Sequence, residues 1–380
     1  MNKLRSLLKL ALITVIVLLL SFYLLSCLTP YINPVYWSGF TYLALLFPYS
    51  FLLALIGFGL SVILFRKKIK YSLIVFCILL IGYKNIFATI GFHRSKVFQE
   101  KKEEGTIRLL SWNVDDFVKC DKALDKPKNP RRNILEFIKS ANADIICFQD
   151  YRNFEENKYI YSNTKFMVDT LKYPYHYFSV DDPCIGEYFA CKYGTMIYSK
   201  FPIIDSGRVA YNWEHLPEHL MYATVNVNGK LVRFYNTHLR SMFLHRFGKI
   251  PQQNYKFVID DTAIIYYGHR TEKLRYFDLI HVKQAKLIKE ELNKSPEPFV
   301  FCADLNSVPS SYVYQCISNG LNDAFLQYGN GWGQTYSGFS PTLRIDVTLM
   351  SKQIEAKQYY CPKLQNASDH YPVITDLLIH

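Results

Sequence analysis

The chain of 380 residues has nine cysteines but no two of them at Cys-x-x-Cys spacing. A structural zinc site, which draws its thiolates from closely spaced pairs, has no basis in the sequence. Internal repeats and low-complexity tracts are missing as well, so nothing points to a solenoid or a disordered array. Charge excess is scarce in residues 106–380. Twelve Lys/Arg and three Glu fall in residues 1–105, leaving 32 Lys/Arg and 29 Asp/Glu for the remainder, so +9 of the formal net charge of +12 belongs to the first part. That balance does not call for a polyanionic partner held through many phosphate contacts.

What the first quarter does contain is long apolar runs. Leu7–Leu25, Tyr42–Phe65 and Tyr71–Phe92 are each about as long as the roughly 20 residues that cross a hydrocarbon core. Lys84 and Asn85 interrupt the third. The basic loop Arg66-Lys67-Lys68-Ile69-Lys70 marks the cytoplasmic side, and Lys3 and Arg5 agree with it because two crossings separate them. Leu24-Leu25-Ser26-Cys27 loosely resembles a lipoprotein processing site, so cleavage there is the alternative to a retained first span; the later runs imply anchoring either way. The expectation is a membrane anchor of about three transmembrane helices over residues 1–92, a charged linker over 93–105, and a folded part over 106–380 beyond the membrane.

From Thr106 onward short β-rich runs alternate with polar turns and a few helical stretches. Ile107–Trp112, Asp144–Phe148, Thr195–Tyr198, Met221–Val227, Leu231–Asn236, Phe299–Asp304, Arg344–Met350 and Val373–Ile379 read as strands, with Asn228-Gly229 a hairpin turn. Arg131–Ser140, Leu274–Leu292 and Ser311–Ser318 read as helices. Clustered strands with helices between them indicate two sheets packed face to face and covered by helices. Cys147 and Cys302 lie in apolar runs and behave as small hydrophobes, whereas Cys184 and Cys191 flank a short loop and could pair in an oxidising compartment.

Polar residues recur where strands end. Asn113 and Asp115 follow the first strand and Gln149-Asp150 the second; Thr237-His238 follows the hairpin; Asp304 and Asn306 close the run Phe299–Asp304; Asp346 lies in a strand and Asp369-His370 precedes the last. Singly, each has a plain reading as a turn or cap. Together, two histidines with several carboxylates and amides form a set suited to metal-assisted hydrolysis of a phosphate ester.

The segments Ser111-Trp112-Asn113, Phe148-Gln149-Asp150, Tyr235-Asn236-Thr237-His238-Leu239, Ala303-Asp304-Leu305-Asn306, Arg344-Ile345-Asp346 and Ser368-Asp369-His370-Tyr371-Pro372 resemble, in this order, the endonuclease/exonuclease/phosphatase superfamily. The resemblance covers roughly residues 106–380. It implies a four-layer α/β sandwich of two packed mixed β-sheets flanked by helices, a Mg²⁺ or Mn²⁺ cofactor, and phosphoester hydrolysis. By the same resemblance Asn113, Asp150 and Asp369 belong to the metal site, and Asn306 and Asn113 contact phosphoryl oxygens. Asp304 holds the attacking water, Asp346 orients His370 as base or phosphate contact, and His238 serves the leaving side. Asp150 stands where the superfamily usually has Glu, Ala303 where Gly is usual and Val347 where an aromatic is common.

The expected partners are a phosphoester substrate (lipid headgroup, small phosphodiester or nucleic acid) and the lipid bilayer, with no obligate protein partner. The anchored arrangement resembles bacterial inner-membrane members with an extracytoplasmic catalytic part. Alternatives are an extracytoplasmic nuclease and an inactive membrane-bound interaction module. Ser241–Tyr276 and Gly331–Tyr336 are the candidate rim of the site, the former equally a surface insertion.

Overall fold

A computed structural model describes residues 2–93, 97–117, 130–154, 162–182, 191–211, 217–241, 270–338 and 340–380. Of the expected rim segment Ser241–Tyr276, residues 242–269 fall outside the described residues, as do Cys120 and Cys184, while residues 270–276 lie in a helix.

The chain begins with two long apolar helices, α1 (Asn2–Cys27) and α2 (Gly39–Leu64), both long and apolar enough to cross a membrane. The third expected span is corrected. Residues 70–89 form two short helices, α3 (Lys70–Ile81) and α4 (Tyr83–Thr89), bent by 55°. Gly82 lies at the break because a Cβ there would meet the Tyr23 hydroxyl of α1 at 2.0 Å. That hydroxyl donates to the Leu79 carbonyl at 2.7 Å, and Asn85 donates to the Ser26 carbonyl, so the break is fastened to α1. Two helices, and not three, thus satisfy the length and hydropathy of a span individually. Among the described residues, the exposed large hydrophobic side chains other than Tyr175 and Ile204 lie within residues 4–97.

Beyond the short strand β1 (Gly91–Phe92) come two six-stranded sheets. The first contains β2 (Thr106–Asn113), β3 (Ile145–Phe154), β4 (Tyr175–Asp182), β5 (Cys191–Ser199), β13 (Ile354–Tyr360) and β14 (Val373–Ile379), in the order β13-β14-β2-β3-β5-β4. The second contains β6 (Ile203–Ala210), β7 (His219–Val227), β8 (Lys230–His238), β9 (Phe299–Asp304), β10 (Asn322–Asp323) and β12 (Asp346–Met350), in the order β10-β12-β9-β8-β7-β6. Within each sheet one pair is parallel, β2 with β3 and β8 with β9; the other pairs are antiparallel. A two-stranded ribbon joins β1 to β11 (Asn330–Gly331).

Alternation along the strands generates the layers, because successive side chains point to opposite faces. Leu109, Ile145 and Cys147 face inward and meet Phe234, Val300 and Cys302 of the other sheet. Leu110, Ile146 and Phe148 face outward, where Ile134 and Ile138 of α5 (Pro130–Ala141) and Met167 of α6 (Asn163–Asp169) cover them. On the opposite side, Phe301 and Leu349 lie under Ala285, Ile288 and Leu292 of α7 (Arg270–Asn293) and Val313 and Ile317 of α8 (Tyr312–Ser318). The result is the helix, sheet, sheet, helix sandwich.

Residues 97–105 dock onto this body. Gln99 and Glu100 offer carbonyls to the buried Arg108 guanidinium, and Lys102 pairs with Asp144.

Candidate active site

The central strands β2, β3, β8 and β9 end at one edge of the sandwich, where Asn113, Asp150, His238, Asp304, Asn306, Asp346 and His370 converge. Asp304 is the hub. Its Oδ2 accepts from Asn113 Nδ2 at 3.0 Å and lies 3.4 Å from His238 Nε2 and 3.6 Å from His370 Nε2. Its Oδ1 accepts from the Asn306 amide at 2.9 Å, closing an Asx turn that holds Asn306 in the left-handed region at φ +46°. Asn306 Nδ2 then reaches His238 Nε2 at 3.0 Å and the Leu239 carbonyl at 2.9 Å.

Asp150 is placed by an irregularity in β3. Between Phe148 and Tyr151 the register with β5 slips by one residue, and Asp150 adopts φ +49°. A bulge of this kind re-aims a side chain. The Asp150 carboxylate accepts from Asn113 Nδ2 at 3.0 Å, from His238 Nδ1 at 2.7 Å and from the Tyr193 hydroxyl. Just behind it, Gln149 Nε2 donates to Asn236 Oδ1 at 2.7 Å, a buried amide pair joining the two sheets.

On the other flank His370 Nδ1 faces both oxygens of Asp346, at 3.1 and 3.0 Å. Thr335 fixes the start of β12, its hydroxyl accepting from the amides of Ile345 and Asp346. The Tyr336 ring lies 4.9 Å from the His370 ring, and Trp112 donates to the His370 carbonyl. Asp369 is the outlier: its side chain is 43% exposed and its Oδ1 is 3.9 Å from His370 Nε2, placing it at the rim. Arg344, part of the same motif as Asp346, is turned away into a buried pair with Asp323.

Three carboxylates close to two imidazoles, Asp304 and Asp346 buried and Asp150 partly so, dominate the electrostatics. Burial opposes protonation of His238, but Asp150 and Asp304 outweigh it and raise the imidazole to about 10. Burial likewise opposes the charge on His370, which Asp346 and Asp304 raise to about 10. Burial works against ionisation of Asp150 too, yet the His238 charge and the hydrogen bonds from His238, Tyr193 and Asn113 keep it well below the usual carboxylate range. Both imidazoles are therefore cations at neutral pH and suited to stabilise phosphoryl charge.

Mg²⁺ or Mn²⁺ suits this donor set. Oxygens of Asp304 and Asp346 lie within 4.8 Å of one another and Asp150 and Asn113 adjoin them, and hard oxygen donors are what such ions take; His370, as an imidazolium, is not one of the donors. Three acids against two imidazolium groups also leave negative charge for a cation to neutralise.

Thr335 and Tyr336 come from the expected rim Gly331–Tyr336, whereas Tyr193 was not evident in the sequence. Tyr193 is one of 30 tyrosines and sits in an ordinary strand. The profile of the Endonuclease/Exonuclease/phosphatase family matches residues 110–370. The chain belongs to that family. The match takes in every residue of the cluster. Among solved structures, the human Nocturnin catalytic domain with bound sulfate is similar over 73% of this chain and 94% of that one, at 18% identity and a TM-score of 0.50. An endonuclease/exonuclease/phosphatase from Beutenbergia cavernae covers 73% of this chain and 72% of its own, at 18% identity and a TM-score of 0.49. The mannosyl-6-phosphatase Bt3783 of Bacteroides thetaiotaomicron covers 72% and 100%, at 17% identity and a TM-score of 0.46. No curated protein sequence matches the chain.

Proposed function

We propose that the protein is a membrane-anchored, divalent-metal-dependent phosphoesterase that hydrolyses a phosphodiester or phosphomonoester by attack of water. The observation that carries this reading is the convergence of Asn113, His238 and His370 on a single oxygen of Asp304.

Asp304 Oδ2 accepts a hydrogen bond from the attacking water and aims its oxygen at phosphorus. Asn306 and Asn113 donate to phosphoryl oxygens. His370, kept charged by Asp346, contacts the phosphoryl group as a cation, which favours the phosphate-contact role over that of a base. His238 gives its proton to the leaving oxygen, so one P–O bond forms from water while another breaks. Asn113 and Asp150, with Asp369 at the rim, would hold Mg²⁺ or Mn²⁺. When bound, the ion neutralises phosphoryl charge and lowers the pKa of water.

The catalytic part, residues 106–380, lies on the extracytoplasmic side. Two observations support this. The N-terminal end of α2 touches the catalytic part, and its 26 residues, at 1.5 Å each, set Arg66–Lys70 about 39 Å away on the basic, cytoplasmic side. The bent pair α3–α4, which reaches the length and hydropathy of a span only when its two helices are taken together, leads into β1 on the sandwich. Cys191 is also disulfide-bonded, as expected of an oxidising compartment.

The test is turnover of bis-p-nitrophenyl phosphate by the full chain with Mg²⁺, with Mn²⁺ and with EDTA, alongside plasmid nicking. Metal-dependent turnover abolished in Asp304→Ala is expected. No hydrolysis of any phosphodiester or monoester would favour the inactive interaction module.

A further inference from the structure

The anchor is built into the wall of the reaction site. Thr29 donates to the Ser310 carbonyl at 2.6 Å, and Ser310 donates to the carbonyl of Ala44 in α2 at 2.7 Å. Ala44 and Leu45 pack on Val308, Leu343 and Ile345, with Tyr336 against the same cluster. Tyr49 shares a 2.8 Å hydrogen bond with Ser340. These contacts are immediate neighbours of the reacting groups: Val308 is two residues beyond Asn306, Ile345 precedes Asp346, and the Tyr336 ring covers His370. A cavity fills the remaining space, bounded by Thr41 and Leu45 of α2 and by Asp278, His281 and Asn306.

The length of α2 fixes the depth of this seam. A hydrocarbon core of about 30 Å takes up about 20 helical residues, and counting back from Leu64 puts its near boundary at about Leu45. The basic stretch from Arg66 to Lys70 bars the helix from sliding further through. Leu45 is one of the residues on which Val308 and Ile345 pack, and Tyr49 reaches Ser340 one turn deeper. The catalytic loops beside Asn306 and Asp346 therefore sit at the level of the lipid headgroups, where the phosphoesters of a bilayer are concentrated.

We propose that the substrate is a lipid of the leaflet facing the catalytic part, whose phosphoester is hydrolysed at the bilayer surface while its chains stay in the bilayer. This rests on the phosphoesterase reading above and adds the source of the substrate. Water supplies the new P–O bond, one P–O ester bond breaks, and the departing oxygen takes the proton.

The experiment compares two diesters that release the same 4-nitrophenolate, dioleoylglyceryl 4-nitrophenyl phosphate and the water-soluble methyl 4-nitrophenyl phosphate. The full chain is reconstituted in vesicles of digalactosyldiacylglycerol, which contain no competing phosphate, and Asp304→Ala serves as the blank. The lipid diester is expected to turn over with a kcat/KM at least about tenfold higher, because confinement to the surface raises its effective concentration at the site. Adding host lipid at constant probe should slow the lipid reaction by surface dilution and leave the soluble one unchanged. Equal or faster turnover of the soluble diester, or a lipid rate indifferent to surface dilution, overturns the lipid source while leaving the phosphoesterase reading intact. Turnover of neither diester overturns both.

Discussion

His370 and Asp346 meet through contacts of 3.0 and 3.1 Å with only 8% and 3% of their side chains exposed, whereas His238 and Asp150 meet through one contact of 2.7 Å with 15% and 20% exposed. The two acid–imidazole pairs flank Asp304 and carry the same charges, yet they are held in different ways. The His370 side is locked by regular elements: Asp346 opens β12 under the Thr335 hydroxyl, and Tyr336 ties the ring to the seam with α2. The His238 side depends on irregular backbone, the bulge at Asp150 and the left-handed turn at Asn306, fastened by Tyr193 and Asn113. One pair is held mainly by packing, the other mainly by hydrogen bonds. Changes on the first side should therefore act on rate, and changes on the second also on metal affinity.

The largest effect should come from the shared hub. Asp304→Ala, and His370→Ala beside it, should lower kcat/KM for bis-p-nitrophenyl phosphate by about 10³-fold or more with an unchanged circular dichroism spectrum. Substantial residual turnover in either variant would remove them from the reaction. Asp346→Asn comes next. The His370 ring loses its carboxylate partner, and a fall of about 10- to 100-fold in kcat with little change in the Mg²⁺ needed for half-maximal rate is expected. Tyr193→Phe probes the other pair: the metal concentration for half-maximal rate should rise about tenfold while kcat at saturating metal changes less. If Asp346→Asn shifts metal affinity and Tyr193→Phe does not, the contrast between the two sides is wrong.

The smallest effect concerns support behind His238. His281 on α7 donates from Nε2 to the Arg240 carbonyl at 2.6 Å, and burial pushes its imidazole down to about 4. A depressed pKa means that the stability it contributes is complete above the unfolded value of about 6.5 and is lost as pH falls through about 4, amounting to about 3 kcal/mol. Urea midpoints should fall over that window and do so less in His281→Gln. An identical slope in the two proteins would dissociate His281 from acid sensitivity.

The clustering of Asn113, His238, Asp304, Asn306, Asp346 and His370 was legible because each ends, follows, precedes or opens a strand whose apolar pattern is plain, whereas Asp150 lies inside β3. Two mixed sheets under helices were legible for the same reason. The break at Gly82 was not, since it depends on where Tyr23 of another helix packs, although Lys84 and Asn85 hinted that the third run was compromised. Nor was the bulge that positions Asp150, a register shift with no residue signature, or the Asp369 position at the rim. The seam itself is made of Thr29, Ala44, Ser310 and Val308, small residues that no periodicity distinguishes from their neighbours.

That seam constrains how such a protein can change over generations. A catalytic part moved onto a different tether would present an uncovered notch at Val308, Leu343 and Ile345, and its buried Arg344 would lose the Ala88 carbonyl that accepts from it at 2.9 Å. Recombination between the first and last thirds of the gene would thus be punished even where each half folds, and the two can diverge only in step.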